Sequence, residues 1–301
     1  MHSKTNTWIL IISGLIIFLS LIAQLVNFFI YKYPGNNYFP PNILHIAFSL
    51  ILVYAGLILQ VGKNTRLSKR GLELIYFFLV MCLVALATNA VQLTPFPPID
   101  EQIVALENKL DIDMIAILKW TQEHPRLHLL LGFIYDSLTY QMCFIPLFVI
   151  AMGRFKIIKE YYFLLLFTTL IGFCFYYFYP TTAPASVISS PFFTPYQIAT
   201  GLKFNEIHNY LIPSTLEGGL IALPSFHCIW ALLCVYLLKE WPIPCLLLFL
   251  ANIILIASCI LLGWHYPIDV ITGLILVLMS YWFLQWSKRC SPKPILGKLF
   301  K

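Results

Sequence analysis

Residues 224–287 read PSFHCIWALLCVYLLKEWPIPCLLLFLANIILIASCILLGWHYPIDVITGLILVLMSYWFLQWS and contain three apolar runs with only short polar links between them. The runs occupy residues 224–240, 244–263 and 265–287, and each is close to the ~20 residues that an α-helix needs to cross a bilayer. The segment therefore predicts three consecutive transmembrane helices, and a histidine lies at the start of the first run (His227) and of the third (His265).

The rest of the chain repeats this pattern. Of its 301 residues, 60% are hydrophobic and 11% are charged, and the mean hydropathy is +0.82. A soluble domain has roughly 45–50% apolar and about 25% charged residues, so this composition excludes soluble, disordered, coiled-coil and disulfide-scaffold proteins. We predict an all-α polytopic membrane bundle of about eight transmembrane helices. Its five further apolar runs lie at residues 8–30, 43–61, 71–92, 127–152 and 161–179.

The basic residues fall in short clusters between the apolar runs, which argues against a nucleic-acid partner despite a formal charge of +6. In an eight-helix arrangement all of these clusters lie on one side, which the positive-inside rule assigns to the cytoplasm. Both termini are then cytoplasmic, and residues 288–301 form a basic cytoplasmic tail. The clusters are Lys63, Arg66, Lys69 and Arg70; Arg154, Lys156 and Lys159; and Lys288, Arg289, Lys293, Lys298 and Lys301.

The opposite, extracytoplasmic side receives the acidic segment 99–123, the long segment 180–223 and the short link around His265. The spacing of apolar residues in segment 99–123 predicts a helix that lies along the outer surface. The motifs Pro224-Ser225-Phe226-His227 and Gly263-Trp264-His265-Tyr266-Pro267-Ile268-Asp269 both open a helix at this face. Polar residues at such depth are costly, so their positions indicate function.

His265 and Asp269 are four residues apart, so the carboxylate can reach one ring nitrogen and leave the other nitrogen's lone pair free to act as a nucleophile or base. His227 opens a separate helix and is a candidate general acid. Two helix N-termini that converge on one point also favour an anion, and a phosphate ester meets all of these conditions. A zinc site built from the same side chains is conceivable, but no zinc-ligand motif supports it, and we expect neither a metal nor a cofactor.

Three blocks in this order resemble the type 2 phosphatidic acid phosphatase (PAP2) superfamily of membrane lipid phosphatases and phosphotransferases: YPTTAP at residues 179–184, PSFH at 224–227, and residues 258–269. The resemblance implies that His265 attacks phosphorus, that Asp269 orients it and that His227 protonates the leaving group. It further implies that Ser225 binds a phosphoryl oxygen; Thr182 and Arg126 are added as candidates for binding the phosphate. It also implies a six-helix core within residues 71–287, preceded by a pair of helices in residues 1–70.

Departures from the family pattern limit the classes of phosphate ester that the site is expected to bind. The three cations that clamp phosphate in the phosphatases are replaced here by Gly172, Tyr179 and Cys259, and Phe226 stands in place of a glycine. A phosphodiester carries one negative charge and needs less compensation than a monoester dianion, so a diester donor is favoured. These departures resemble the branch of inositol phosphorylceramide synthases and sphingomyelin synthases, which transfer a head group from a phospholipid to a lipid alcohol.

The leading hypothesis is therefore an enzyme that transfers the phosphorylated head group of a membrane phospholipid to a lipid alcohol or to water, without a metal. Dephosphorylation of phosphatidate or of an isoprenoid diphosphate is the second hypothesis. A transporter or non-catalytic lipid-binding protein that retains the fold is the alternative from another class. Arg126 and Lys203 are each interpreted either as partial replacements for the lost cations or as contacts to lipid head groups.

Overall fold

The structure is a computed structural model, and it describes residues 2–33, 35–215 and 218–289. In these residues the chain is helical without any strand, which confirms the predicted all-α class. Most of the predicted basic tail, residues 290–301, lies outside the described residues. The helices are α1 (His2–Val26, continued by a π-helical turn, Asn27–Tyr31), α2 (Ile43–Val61), α3 (Arg66–Val91), α4 (Asp100–Lys109), α5 (Met114–Gln122), α6 (Pro125–Ala151), α7 (Phe155–Phe178), α8 (Pro195–His208), α9 (Phe226–Leu237), α10 (Pro242–Leu261) and α11 (Pro267–Arg289).

Seven of the described helices, α1, α2, α3, α6, α7, α10 and α11, are long and apolar enough to cross a membrane. The protein is thus an integral membrane protein. The remaining predicted crossing, residues 224–240, forms the shorter helix α9, because Ser225 caps its N-terminus and a turn follows Leu238. At 1.5 Å per residue, 12 residues span about 18 Å. Helix α9 packs against α6, α7, α10 and α11, so protein rather than lipid surrounds most of it.

Successive crossing helices run in opposite directions, so the connections between them gather at two ends of the bundle. One end, called the loop end below, holds α4, α5, α8 and the long segment 179–225. The other, called the basic end, holds the short turns with Lys63, Arg154 and Lys239 and the last turn of α11. The clustering of positive charge at one end agrees with the arrangement predicted from the sequence.

The surface segment at the loop end differs from the single helix predicted over residues 99–123. It forms two helices, α4 and α5, because Asp111 adopts a left-handed conformation (φ +56°) and the Asp113 side chain caps α5 by accepting from Ala116 N. Ile103 and Met114 are buried, whereas Leu106 and Leu110 are exposed. The break turns the two helices so that each buries its own apolar face over the end of the bundle.

At the basic end, Glu160 is buried among partners from three helices or turns. Its carboxylate accepts hydrogen bonds from Tyr236 Oη (2.6 Å) and from the ammonium groups of Lys239 and Lys288 (2.8 Å for Lys288). The carboxylate links α7 to the end of α11 and to the α9–α10 turn. This network fixes the ends of the helices that, at the opposite end, bring the predicted site residues together.

Candidate active site

The two predicted histidines meet at the loop end, at the start of two neighbouring helices. His227 is the second residue of α9, and Ser225 caps that helix by accepting from Cys228 N at 3.4 Å. His265 lies in the link between α10 and α11, directly before the first turn of α11, which Pro267 opens. Nδ1 of His227 lies 3.2 Å from Nε2 of His265. Residues 38 positions apart are thus within hydrogen-bond distance.

Asp269 completes a chain of three side chains. Its Oδ2 atom lies 3.2 Å from Nδ1 of His265 and also accepts from the backbone N–H of Tyr266 at 2.9 Å. An ionised carboxylate accepts hydrogen bonds only, so an ionised Asp269 would hold the proton of His265 on Nδ1 and direct the lone pair of Nε2 toward His227. This is the tautomer that a nucleophilic histidine requires.

Backbone contacts hold α9 and α11 together at this point. The N–H of Ser225 donates to the carbonyl of Asp269 at 2.9 Å. One turn further along α11, Gly273 lies so close to α9 that a Cβ atom there would be 2.9 Å from the Ser225 carbonyl oxygen. The hydrogen-bond geometry of His227, His265 and Asp269 therefore depends on the absence of a side chain at residue 273.

Burial determines the charge of His265 in this state. Its side chain is 4% exposed, and desolvation lowers its pKa to about 4. Loss of hydration on burial disfavours the imidazolium, so this pKa corresponds to a neutral ring near pH 7. A neutral ring with an available lone pair is the form that can attack an electrophile.

The cavity between the histidines and the segments above them is small. His227, His265, Tyr135 and Trp264 form its floor, and its volume is about 20 Å³, enough for one water molecule. The ring of Tyr135 stacks on His227 at 4.5 Å between centroids and on Trp264 at 5.6 Å. Residues of α8 and of the link that follows it cover the cavity: Thr200, Phe204, Gly219, Ile221 and Ala222. The described state is closed.

None of the described residues that line this cavity is a lysine or an arginine. The nearest candidate cation in the covering segment is Lys203, whose side chain is fully buried. Its ammonium group donates to the carbonyls of Gly219 (2.8 Å) and Gly218 (3.2 Å), directly behind the cavity wall. The covering segment is thus organised around a buried positive charge.

The structure does not bring all of the predicted phosphate-binding residues to the histidines. Ser225 is buried as the cap of α9. Thr182 is also buried, but its N–H donates to Asp100 Oδ2 at 2.8 Å, its hydroxyl shares a hydrogen bond with Ser186, and it does not line the cavity. Arg126 is exposed in the first turn of α6, away from the cavity lining. Their roles toward phosphate stay predictions.

Two buried carboxyl groups on α4 lie close enough to the Asp269 charge to respond to it, and sequence reasoning missed them. Asp100 and Glu107 are 1% and 4% exposed; Asp100 interacts with the N–H of Thr182 and with the Tyr266 side chain, and Glu107 Oε1 has no hydrogen-bond partner among the described residues. Burial raises the pKa of each group to about 7, and the charge of Asp269 adds to the increase. Their spacing of seven residues, with Ile103 between them, places all three on one face of α4. That periodicity is the signal that would have revealed a buried acidic face.

Among the described residues, no group of three or more His, Cys, Asp or Glu side chains is arranged to hold a metal ion. Asp100 and Glu107 instead surround Tyr266, the residue between His265 and the start of α11. The buried Tyr266 hydroxyl interacts with the Asp100 side chain, and the pKa of Tyr266 is raised first by burial and then by the neighbouring carboxyl groups.

Comparison with known proteins places the chain in a family. No curated protein and no solved structure matches it. The model of the PAP2 superfamily matches residues 101–283, which is more than half of the chain and runs from α4 to the last turns of α11. The matched range contains His227, His265 and Asp269. The chain belongs to the PAP2 superfamily.

Proposed function

We propose that this membrane protein transfers the phosphorylated head group of a phospholipid through a phosphohistidine intermediate on His265. The observation that carries the proposal is the chain of 3.2 Å contacts from His227 to His265 and from His265 to Asp269. Membership of the PAP2 superfamily supports phosphatase or phosphotransferase chemistry on phosphate esters in general. The choice of a phosphodiester as substrate is supported by the lack of lysine and arginine in the described cavity lining.

In the first step, the lone pair of His265 Nε2 attacks phosphorus, and the bond from phosphorus to the glycerol oxygen breaks. The leaving diacylglycerol takes a proton from His227, whose Nδ1 atom points at the position of attack. To act as an acid, His227 must carry protons on both ring nitrogens, a form that the negative charge of a bound phosphate favours. Asp269 stabilises the positive charge that develops on His265.

In the second step, an acceptor hydroxyl attacks phosphorus, its proton passes to His227, and the P–N bond breaks. A lipid alcohol as acceptor gives head-group transfer, and water gives hydrolysis. The covering segment supports transfer, because a segment that closes over bound substrate limits access of water to the intermediate. Head-group transfer is the reaction of the inositol phosphorylceramide synthase and sphingomyelin synthase-like branch that the sequence resembles.

The absence of lysine and arginine from the described cavity lining supports a diester donor. A monoester dianion in such a site lacks a cationic partner, whereas a diester carries a single charge that the two histidines and the N-terminus of α9 can balance. Dephosphorylation of a monoester remains the second candidate, and the buried ammonium group of Lys203 behind the cavity wall favours it.

The decisive experiment supplies the purified protein with radiolabelled phosphatidylinositol, phosphatidylcholine and phosphatidate, with and without a long-chain lipid alcohol. Formation of diacylglycerol together with a labelled head-group product from a diester supports the proposal. Release of phosphate from phosphatidate alone overturns it in favour of the phosphatase.

Variants at the histidines test the roles. His265→Asn is expected to abolish both steps, and His227→Asn to slow them by a factor of about 10²–10⁴, the usual contribution of a general acid. His128→Asn is the matched control, since His128 is a histidine at the same end of the bundle that bonds to Gln122 outside the cavity. Folded His265→Asn protein that retains cellular function would instead favour a non-catalytic lipid-binding protein.

We also propose that the loop end, and with it the histidines, faces the extracytoplasmic side. The supporting observation is the concentration of Lys and Arg at the opposite end. A single cysteine at exposed Arg126, in a chain without its native cysteines, is expected to react with a membrane-impermeant maleimide in intact cells. A cysteine at Lys63 is the matched control and is expected to react only after the membrane is opened.

A further inference from the structure

A second, larger cleft opens at the loop end, between the last turns of α1 and α3 and the segment 35–39. Its volume is about 490 Å³, and it is separate from the histidine cavity. It lies outside the range matched by the PAP2 model, in the part of the chain to which the proposed mechanism gives no role. None of the described residues that line it is charged. Six of them are carboxamides: Gln24, Asn27, Asn36, Asn37, Asn89 and Gln92.

Two of these carboxamides hold the wall of the cleft in place. Gln92 accepts from the N–H of Asn36 at 2.7 Å and donates to the carbonyl of the same residue at 2.8 Å. Asn89 accepts from the N–H of Tyr38 at 2.8 Å. These bonds fasten segment 35–39 to the end of α3, so the shape of the cleft does not depend on a ligand.

Other polar groups in the lining have no partner. The Oδ1 atom of Asn27 and the hydroxyl of Tyr33 are buried without a hydrogen bond to any described residue. Asn27 and Tyr33 are 7% and 8% exposed, so bulk water does not reach most of either side chain. Buried polar groups of this kind are costly unless something satisfies them. Together they offer an acceptor and a hydroxyl to one space.

We propose that this cleft binds an uncharged, polyhydroxylated group, such as a sugar or a polyol. Each hydroxyl of such a group both donates and accepts, so it can pair with the free Asn27 oxygen and with the Tyr33 hydroxyl. A charged ligand would find no countercharge in the described lining. Exposed Leu21, Leu25 and Phe28 border the cleft on α1 and offer an apolar surface for the tails of a lipid that carries this head group.

Two sources of the polyhydroxylated group are compared directly. The protein is placed in phosphatidylcholine nanodiscs without alkyl-glycoside detergent, and saturable binding is measured for radiolabelled monoglucosyl diacylglycerol and, separately, for free glucose and myo-inositol. Binding of the glycolipid alone supports the site with a lipid source, and binding of the free compounds supports it with a soluble source. Failure of all three to bind, or equal displacement of the glycolipid by diacylglycerol, overturns the proposal.

Tyr33→Phe is the informative variant, because it removes only a hydroxyl that has no partner in the structure. We expect it to fold normally and to weaken binding about five- to tenfold, the loss of one neutral hydrogen bond. Tyr210→Phe is the matched control, since the Tyr210 ring contacts Tyr33 from outside the cleft lining. Equal binding by both variants contradicts the proposal. His265→Asn is expected to bind the glycolipid like the wild type, so a failure of the catalytic mechanism is distinguishable from a failure of this site.

Discussion

Replacement of Gly273 by alanine tests whether the close contact between α9 and α11 sets the geometry of the histidines. A methyl group at this position would lie 2.9 Å from the carbonyl oxygen of Ser225 and 3.3 Å from Cβ of Cys228. Ordinary contacts of a Cβ atom begin near 3.4 Å, so the helices must separate by about 0.5 Å. The Ser225 carbonyl is not free to turn away, because it accepts the hydrogen bond of Ile229 N at 3.2 Å in the first turn of α9.

The expected loss of activity follows from that displacement. His227 moves with α9, whereas His265 and Asp269 lie together at the start of α11, so the 3.2 Å contact between the two histidines changes. A misplacement of 1 Å costs about 10²-fold in rate, so a shift of half that size is expected to lower turnover about tenfold. Stability changes less, since overpacking costs about 1–3 kcal/mol and the removal of a helical glycine returns about 1 kcal/mol.

The assay compares turnover of the labelled phospholipid by Gly273→Ala and Gly132→Ala in the same nanodiscs, with melting temperatures measured in parallel. Gly132 is the matched control, because a Cβ atom there meets no atom within 4 Å. Turnover by Gly273→Ala within twofold of the Gly132→Ala rate would refute the argument that contact between the two helices sets the reactive geometry.

Three further changes follow from the structure. At Gly172, a Cβ atom would lie 2.8 Å from the ring of Phe226, so Gly172→Ala is expected to lower turnover. Adding Phe226→Leu removes the ring and is expected to restore turnover. If the double variant is as slow as Gly172→Ala, this contact is not the cause of the loss. Because Asp100 has a pKa of about 7 when folded and 3.8 otherwise, its stability contribution falls as pH rises from about 4 to 7. At ~1.4 kcal/mol per pKa unit, this decrease in the free energy of unfolding amounts to up to about 4 kcal/mol, and Asp100→Asn should remove it. If the melting temperatures of variant and wild type change equally with pH between pH 4 and 9, this prediction is wrong. Glu160→Gln leaves two lysines without their buried partner and is expected to lower the free energy of unfolding by about 1–3 kcal/mol without changing turnover. Glu123→Gln is the control at an exposed ion pair and should lower it by under about 0.5 kcal/mol in the same thermal unfolding measurement.

The membrane fold was predictable because each transmembrane helix corresponds to a continuous apolar run in the sequence. An apolar run of about 20 residues has one stable outcome in a bilayer, and seven of the eight predicted runs form helices that meet this length. The eighth run, α9, is shorter than its apolar sequence because the cap at Ser225 and the turn after Leu238 cut it at both ends. The length of an apolar run does not show whether other helices surround it. A helix that is surrounded by protein can be shorter than the bilayer is thick.

The predictable part of the site is the contact between residues that lie within one turn of the same helix. His265 and Asp269 are four residues apart, and the expected contact between them is present at 3.2 Å. Asp100 and Glu107 reach the same region from α4, more than 150 residues earlier, and only the packing of α4 over the end of the bundle brings them there. Their spacing indicates a shared helix face but not the partner that this face contacts. The grouping of the carboxamides in the second cleft, which come from three separate segments, leaves no pattern in a single sequence.

The distance between the two histidines also defines the state that the structure represents. In the proposed reaction, phosphorus bonds to Nε2 of His265, and the leaving oxygen lies between phosphorus and His227. A separation of 3.2 Å with about 20 Å³ of free space leaves no room for a phosphate group. Binding of substrate therefore requires that the covering segment move away. Hydrogen bonds attach this segment, from Gln197 to the Leu262 carbonyl at 2.6 Å and from Leu223 N to Thr181 Oγ1 at 2.8 Å, and its Ile207 and Leu220 side chains are buried in an apolar cluster with Tyr33 and Leu93. The direct contact between the imidazoles keeps the nucleophile's lone pair occupied until a phosphate displaces His227, so the closed site is inert toward water.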